Sequence, residues 1–85
     1  MKQVCMKRRG VPRDEYLAYF RDLGGKETEP GYFTGPGWTA EVGEVQEAKL
    51  FNQTLHEVDV TISAAEDKID EMVHAFRIKF LRAGA

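Results

Sequence analysis

The sequence predicts a single α+β domain, an antiparallel sheet with two helices packed on one face. Three observations carry that prediction. Leu55 to Ile62 alternates apolar and polar residues, the signature of a strand with one face in the core and one in water. Tyr16, Tyr19, Phe20 and Leu23 recur at helical spacing, as do Ala65, Ile69, Met72, Val73, Phe76 and Phe80. Short aromatic and β-branched segments separated by Gly, Pro and Asn fill the interval between those two stripes. The order is strand, helix, about four antiparallel strands, helix, and the layered solution for it buries one sheet face under both helices.

Each element has a local reason. Lys2 to Arg9 reads as a strand with Val4 and Met6 on one face and Gln3, Cys5 and Lys7 on the other. Gly10 ends it. Pro12 suits a first helical turn, Asp14 and Glu15 suit the positive end of the helix dipole, and Gly24-Gly25 supplies a left-handed stop. Lys26 to Gly31 is polar and holds the turn signal Pro30-Gly31. Tyr32 to Thr34 and Trp38 to Val42 read as two strands of a hairpin reversed by Gly35-Pro36-Gly37. Gly43 marks a bulge, because the apolar phase shifts to Val45 after it. Ala48 to Phe51 is a further strand and Asn52-Gln53 a turn into the Leu55–Ile62 strand, where His56, Val58, Val60 and Ile62 share a face. Ser63 and Glu66 match a capping box ahead of the last helix. Its acids sit early and its bases late, as the dipole prefers.

Composition bounds the function. Eighty-five residues make residues 1–85 one domain. A content of 42% hydrophobic and 31% charged residues is that of a globular chain rather than a disordered one. A single cysteine, Cys5, rules out an internal disulfide framework and fits a reducing compartment. No apolar stretch approaches the roughly 20 residues a spanning helix needs. The start MKQVCMKRRG places charges where a signal peptide is apolar, so a cytoplasmic location is expected.

Charge is unevenly placed around a net of −2. Lys2, Lys7, Arg8, Arg9 and Arg13 precede the first acid, residues 14–75 hold all fourteen acids, and Arg77, Lys79 and Arg82 lie in the last ten residues. One reading is a basic surface from the two chain ends, centred on Lys7, Arg8, Arg9 and Arg13, that holds an acidic partner. The other is local: bases complementing a helix C-terminus and cross-strand acids. Nucleic acid is disfavoured, because the chain is acidic overall and its basic run lacks interleaved aromatics.

No residue set points to a reaction. Cys5 would need a base and an activating positive field to act as a nucleophile, and Lys7 lies on the same predicted strand face, two residues on. His56 and His74 form no metal-ligand spacing with each other or with Cys5, so no metal or other cofactor is expected. Fourteen acids offer many carboxylate pairs and no reason to choose one; Glu57 and Asp59 lie together on a polar strand face. Gly35-Pro36-Gly37 is too short for a phosphate loop and precedes no helix, and Asn52-Gln53-Thr54 is a chance sequon without a secretory signal. Tyr32, Phe33 and Trp38 gather at the hairpin reversal as core or as a pocket wall. A pocket between the sheet and the last helix would be lined by Tyr16, Phe33, Trp38, His56 and Phe76. Ile78 and Leu81 lie off the main helical stripe and suit either a frayed end or self-association.

From about Gly10 to Glu66, roughly two-thirds of the chain, a family pattern is recognisable. It rests on Pro12, Tyr19, Gly24-Gly25, Gly31 with Phe33, Pro36-Gly37, Glu44-Val45, Lys49 and Val58-x-Val60-x-Ile62. In these residues the chain resembles the C-terminal domain of MoaD-related proteins, relatives of the molybdopterin converting factor, here as a stand-alone chain. The resemblance implies a TATA-binding-protein-like fold, β-α-β(4)-α, with a curved antiparallel sheet under two helices. In that family the domain follows a ubiquitin-like sulfur carrier that ends in Gly-Gly. This chain ends Ala83-Gly84-Ala85, so it is not expected to carry a thiocarboxylate itself. The motif positions are turns and packing sites, and no catalytic residue transfers with them. The implied role is a non-catalytic accessory module in molybdopterin biosynthesis whose partner is a sulfur-carrier protein or a molybdopterin-synthase subunit. The alternatives are a small-ligand-binding domain and a homodimer built on a sheet edge or on Ile78 and Leu81.

Overall fold

The computed structural model of the chain describes residues 1–81. The elements are β1 (Lys2–Arg9), α1 (Arg13–Asp22), β2 (Lys26–Glu29), β3 (Tyr32–Gly35), β4 (Trp38–Val42), β5 (Gln46–Leu50), β6 (Gln53–Ala64) and α2 (Glu66–Lys79). The fold is the predicted α+β arrangement, with the short strand β2 added between the helices. All pairings are antiparallel and the sheet is not closed: its order is β1-β6-β4-β3-β2, with β5 also paired to β6.

β6 organises the sheet because it is twelve residues long. Its C-terminal half lies between β1, from Lys2↔Ala64 to Arg9↔Glu57, and β4, from Trp38↔Ala64 to Val42↔Val60. β5 continues along the same edge of β6 as β4, starting from Gln46↔Glu57. Three residues separate Val42 from Gln46, whereas two separate Val60 from Glu57, so the predicted bulge is present and centred on Gly43 to Val45. Gly43 donates its N–H to the Asp59 carbonyl across the bulge, at 2.8 Å. The β5–β6 hairpin then runs out beyond the helices, and the domain is elongated, at 42 × 24 × 20 Å.

Alternation decides what the core holds. On β6, Val58, Val60, Ile62 and Ala64 are buried, while Asp59, Thr61 and Ser63 between them are half-buried on the open face. Trp38, Ala40 and Val42 lie beside them, and Phe33 beside Ala40. The helices close this face with Tyr16 and Phe20 from α1 and Ile69, Val73 and Phe76 from α2, followed by Phe80. Aromatic contacts join the layers: Phe20 stacks on Phe76 at 5.8 Å between ring centroids and meets Trp38 at 6.0 Å. Trp38 lies flat over Gly35, its cross-strand partner, where any Cβ would come within 2.1 Å of the indole. Gly24 has φ +91° at the end of α1, the left-handed stop that the Gly-Gly pair predicts.

Three local readings shift. The turn between β5 and β6 is Phe51-Asn52, at φ 53° and 65°, one residue earlier than Asn52-Gln53. Ser63 is not a helix cap; it lies within β6, paired with both Gln3 and Thr39, and Ala65 is the N-cap of α2 with no side-chain hydrogen bond. Pro12 is the N-cap of α1 rather than part of its first turn. No described helix is long and apolar enough to cross a membrane.

Candidate functional site

The four N-terminal bases do not form one surface, because adjacent strand residues face opposite ways. Lys7 and Arg9 lie on the open face, opposite Asp59 and Glu57, and Arg9 Nε pairs with Glu57 Oε2 at 3.4 Å. Arg8 lies on the helix-covered face. Its Nη2 donates to the Phe80 carbonyl at 3.4 Å, and its guanidinium sits 5.7 Å from the Phe76 ring centroid. The Arg8 Nε and the Tyr16 hydroxyl are each buried without a hydrogen-bond partner among the described residues. Burial raises the Tyr16 pKa above that of an ordinary phenol, and the Arg8 guanidinium opposes that rise.

Arg13 is a clamp. From the start of α1 its Nε donates to the Gly43 carbonyl at 2.8 Å and its Nη2 to the Val42 carbonyl at 3.2 Å. The Val42 carbonyl lies on the side of β4 that faces Gly31, to whose carbonyl the Val42 N–H donates, and Gly43 is the first residue of the bulge. One side chain therefore fixes α1 to the point where β5 departs from β4, and with it the angle of the projecting hairpin. Arg82 and the rest of the last four residues lie outside the described residues.

The residues predicted to line a pocket have different fates. Tyr16, Phe33 and Phe76 have no exposed surface and Trp38 is 7% exposed. They fill the space between sheet and α2 as core, because each ring meets another within 6.0 Å. Only His56 of that set is exposed, on a strand segment the helices do not cover.

His56 lines a groove of about 630 Å³ between the β1–α1 connection and the base of the β5–β6 hairpin. Val11, Pro12, Val45, Leu55 and Val58 give it apolar walls, and Arg9 and Arg13 stand at its β1–α1 side. The groove also exposes a strand edge. β1 ends at Arg9 opposite Glu57, so the β1-side edge of Gln53–His56 has no strand partner among the described residues. The two-residue turn makes Leu50 and Gln53 a hydrogen-bonded pair, so alternate residues of β6 turn the other way. Thr54 and His56 accordingly present their backbone N–H and C=O groups toward this gap. An extended backbone can pair there, its side chains or lack of them meeting the apolar walls and any carboxylate meeting the arginines. Sequence reasoning had the arginines and His56 as members of separate sets. The signal that unites them is the Gly43 bulge, which swings the hairpin beside the β1–α1 connection.

A second groove of about 300 Å³ lies between α1, α2 and the Pro36 turn, lined by Tyr19, Leu23, Lys68 and Met72 among others. Cys5 is exposed on the open face, opposite Thr61, while His56 opposes Glu47 and His74 is exposed on α2. These three candidates for metal or nucleophile chemistry thus stand on separate elements.

The fold is that of a small α+β domain with an open antiparallel sheet and two helices. The model of the family described as archaeal MoaD-like protein matches residues 5–85, and this chain belongs to that family. No curated protein matches the chain.

Proposed function

We propose that this chain is a non-catalytic accessory module that receives the C-terminal tail of a sulfur-carrier protein serving molybdopterin cofactor biosynthesis. The observation that carries the reading is the pairing of a free strand edge at Thr54 and His56 with Arg9 in one apolar-walled groove. A carrier tail that ends in Gly-Gly has little side chain to recognise. Its binding therefore rests on backbone pairing and on its terminal carboxylate, and this groove offers both. Family membership supports the context, since MoaD-type chemistry is that of sulfur carriers. The small-ligand alternative gains no support, because Tyr16, Phe33 and Phe76 fill the space it needs.

The test is fluorescence anisotropy of a labelled ubiquitin-like carrier titrated with the full chain, alongside the same carrier lacking its Gly-Gly. Saturable binding of the intact carrier, lost on removing the tail and weakened about tenfold by Arg9→Glu, is the expected result; about 1.4 kcal/mol is the corresponding loss. Lys7→Glu, on the same sheet face as Arg9 but not among the residues lining the groove, is the control and leaves affinity unchanged. Equal binding of intact and truncated carriers, or no binding, overturns the reading.

A further inference from the structure

Besides the Gln53–His56 edge in the groove, three strand edges of this open sheet have no partner among the described residues: the outer sides of β1, β2 and β5. Exposed edges are templates for another chain unless something blunts them. β1 carries four bases and no acid, so two copies of it repel. β2 is four residues long and broken by a register shift between Glu27 and Glu29. β5, Gln46-Glu47-Ala48-Lys49-Leu50, has neither protection. Its charges cancel, it holds no proline, and its acid and base stand symmetrically about Ala48.

We propose that β5 is a dimerisation edge, on which a second copy of this chain pairs antiparallel about a two-fold axis at Ala48. In this register Glu47 of each copy faces Lys49 of the other, and the interface is isologous. The backbone favours the same register. Leu50 and Gln53 bond each other across the turn, so Leu50, Ala48 and Gln46 direct their N–H and C=O groups to β6. Glu47 and Lys49 direct theirs outward. Each Glu47–Lys49 pair across the axis thus exchanges two backbone hydrogen bonds and places opposite charges on one sheet face, a favourable cross-strand pair. Those faces are continuous with the neighbours, since Glu47 already opposes His56 and Lys49 opposes Thr54.

The ends of the strand point to the same occupant. Extending the register sets Phe51 of one copy beside Val45 of the other. Phe51 is 90% exposed and Val45 46% exposed in the single chain. Phe51 also sits at φ 53°, a conformation that suits Gly or Asn and is unfavourable for a bulky side chain. Neither the core nor the turn accounts for a phenylalanine there, whereas a hydrophobic contact across the dimer does. The paired backbone edge of β5 lies on the opposite side of β6 from the Thr54 and His56 edge assigned to the carrier tail, and Val45 is a residue that both surfaces use.

Sedimentation equilibrium of the full chain from low micromolar to millimolar concentration reads the dimer directly. Wild type is expected to self-associate, and Lys49→Glu and Glu47→Lys each to weaken association at least tenfold, because each sets like charges across the axis. An equimolar mixture of the two variants is expected to form a heterodimer, one edge all acidic and the other all basic. The double variant Glu47→Lys, Lys49→Glu is expected to recover the homodimer. A wild type that stays monomeric throughout overturns the proposal. So does a dimer that both single variants leave intact, or one that neither the mixture nor the double variant restores.

Discussion

Replacing Arg13 with alanine removes two side-chain hydrogen bonds that tie α1 to the bulge at Gly43, and the structure sets the size of the effect. Two hydrogen bonds are lost, at 2.8 and 3.2 Å, each from a charged donor to a backbone carbonyl. Bonds to charged groups contribute about 1.5–3 kcal/mol each. Arg13 is only half-buried and its second bond is long, so about 1 kcal/mol apiece is appropriate. The sum of about 2 kcal/mol lowers the Tm of a domain this size by roughly 8–16 °C. Circular dichroism melts of wild type, Arg13→Ala and Arg13→Lys measure it. Lysine keeps the charge but cannot place two donors in the guanidinium fork, so it should recover less than half of the loss. A lysine variant as stable as wild type would refute the clamp and leave Arg13 a mere surface charge.

Gly35→Ala forces a Cβ to within 2.1–2.4 Å of the Trp38 indole and should cost about 3 kcal/mol by overpacking, read in urea melts, with the tryptophan emission moved to the red; native stability would contradict the flat seating of the ring. Glu27 is held below the usual carboxylate range, first by the Gly31 N–H and then by Arg21. A lowered folded pKa stabilises above the unfolded pKa and loses that contribution as pH falls through the folded pKa. Glu27→Gln should therefore be less stable than wild type at neutral pH, with the gap closing in acid; a gap independent of pH would exclude the ionised contact. Tyr16 and Tyr19 are raised above ordinary phenols by burial, so their folded-state ionisation in an ultraviolet titration should lag that of a free tyrosine, and stability should fall as pH climbs past the ordinary phenol range. Ionisation of every tyrosine at the free value, with the chain still folded, would be inconsistent with that burial.

What was legible in the sequence is what periodicity encodes. β1, the β3–β4 hairpin, β6 and both helices follow from apolar spacing and from Gly and Pro punctuation. The Gly43 bulge was legible as a phase shift, and it proves to aim the hairpin. β2 was not legible, because Lys26-Glu27-Thr28-Glu29 is wholly exposed and has no apolar face; only its pairing with β3 makes it a strand. The capping box failed for a non-local reason. Strand pairing with β1 on one side and β4 on the other holds the segment around Ser63 in β6, and that outweighs a single local cap.

The candidate site was half legible. Period-two alternation already assigns Arg8 to the Val4 and Met6 face and Arg9 to the Lys7 face, so the split of the basic run could have been read from β1 itself. The meeting of Arg9, Arg13 and His56 could not, because it depends on how far the bulge turns the hairpin. The aromatic residues were ambiguous for a simpler reason. In a domain this small, large rings supply much of the core, and sequence alone does not say whether a gap remains among them.

The most direct test of the groove is a nitrogen-15 correlation spectrum of the full chain titrated with a ubiquitin-like carrier ending in Gly-Gly. Shifts concentrated at residues 9–13 and 54–58 are the predicted result, with the Thr54 and His56 amides moving most. Shifts gathered instead at Gln3, Cys5, Thr39 and Thr61 on the open face, or no shifts with carrier in excess, would contradict it.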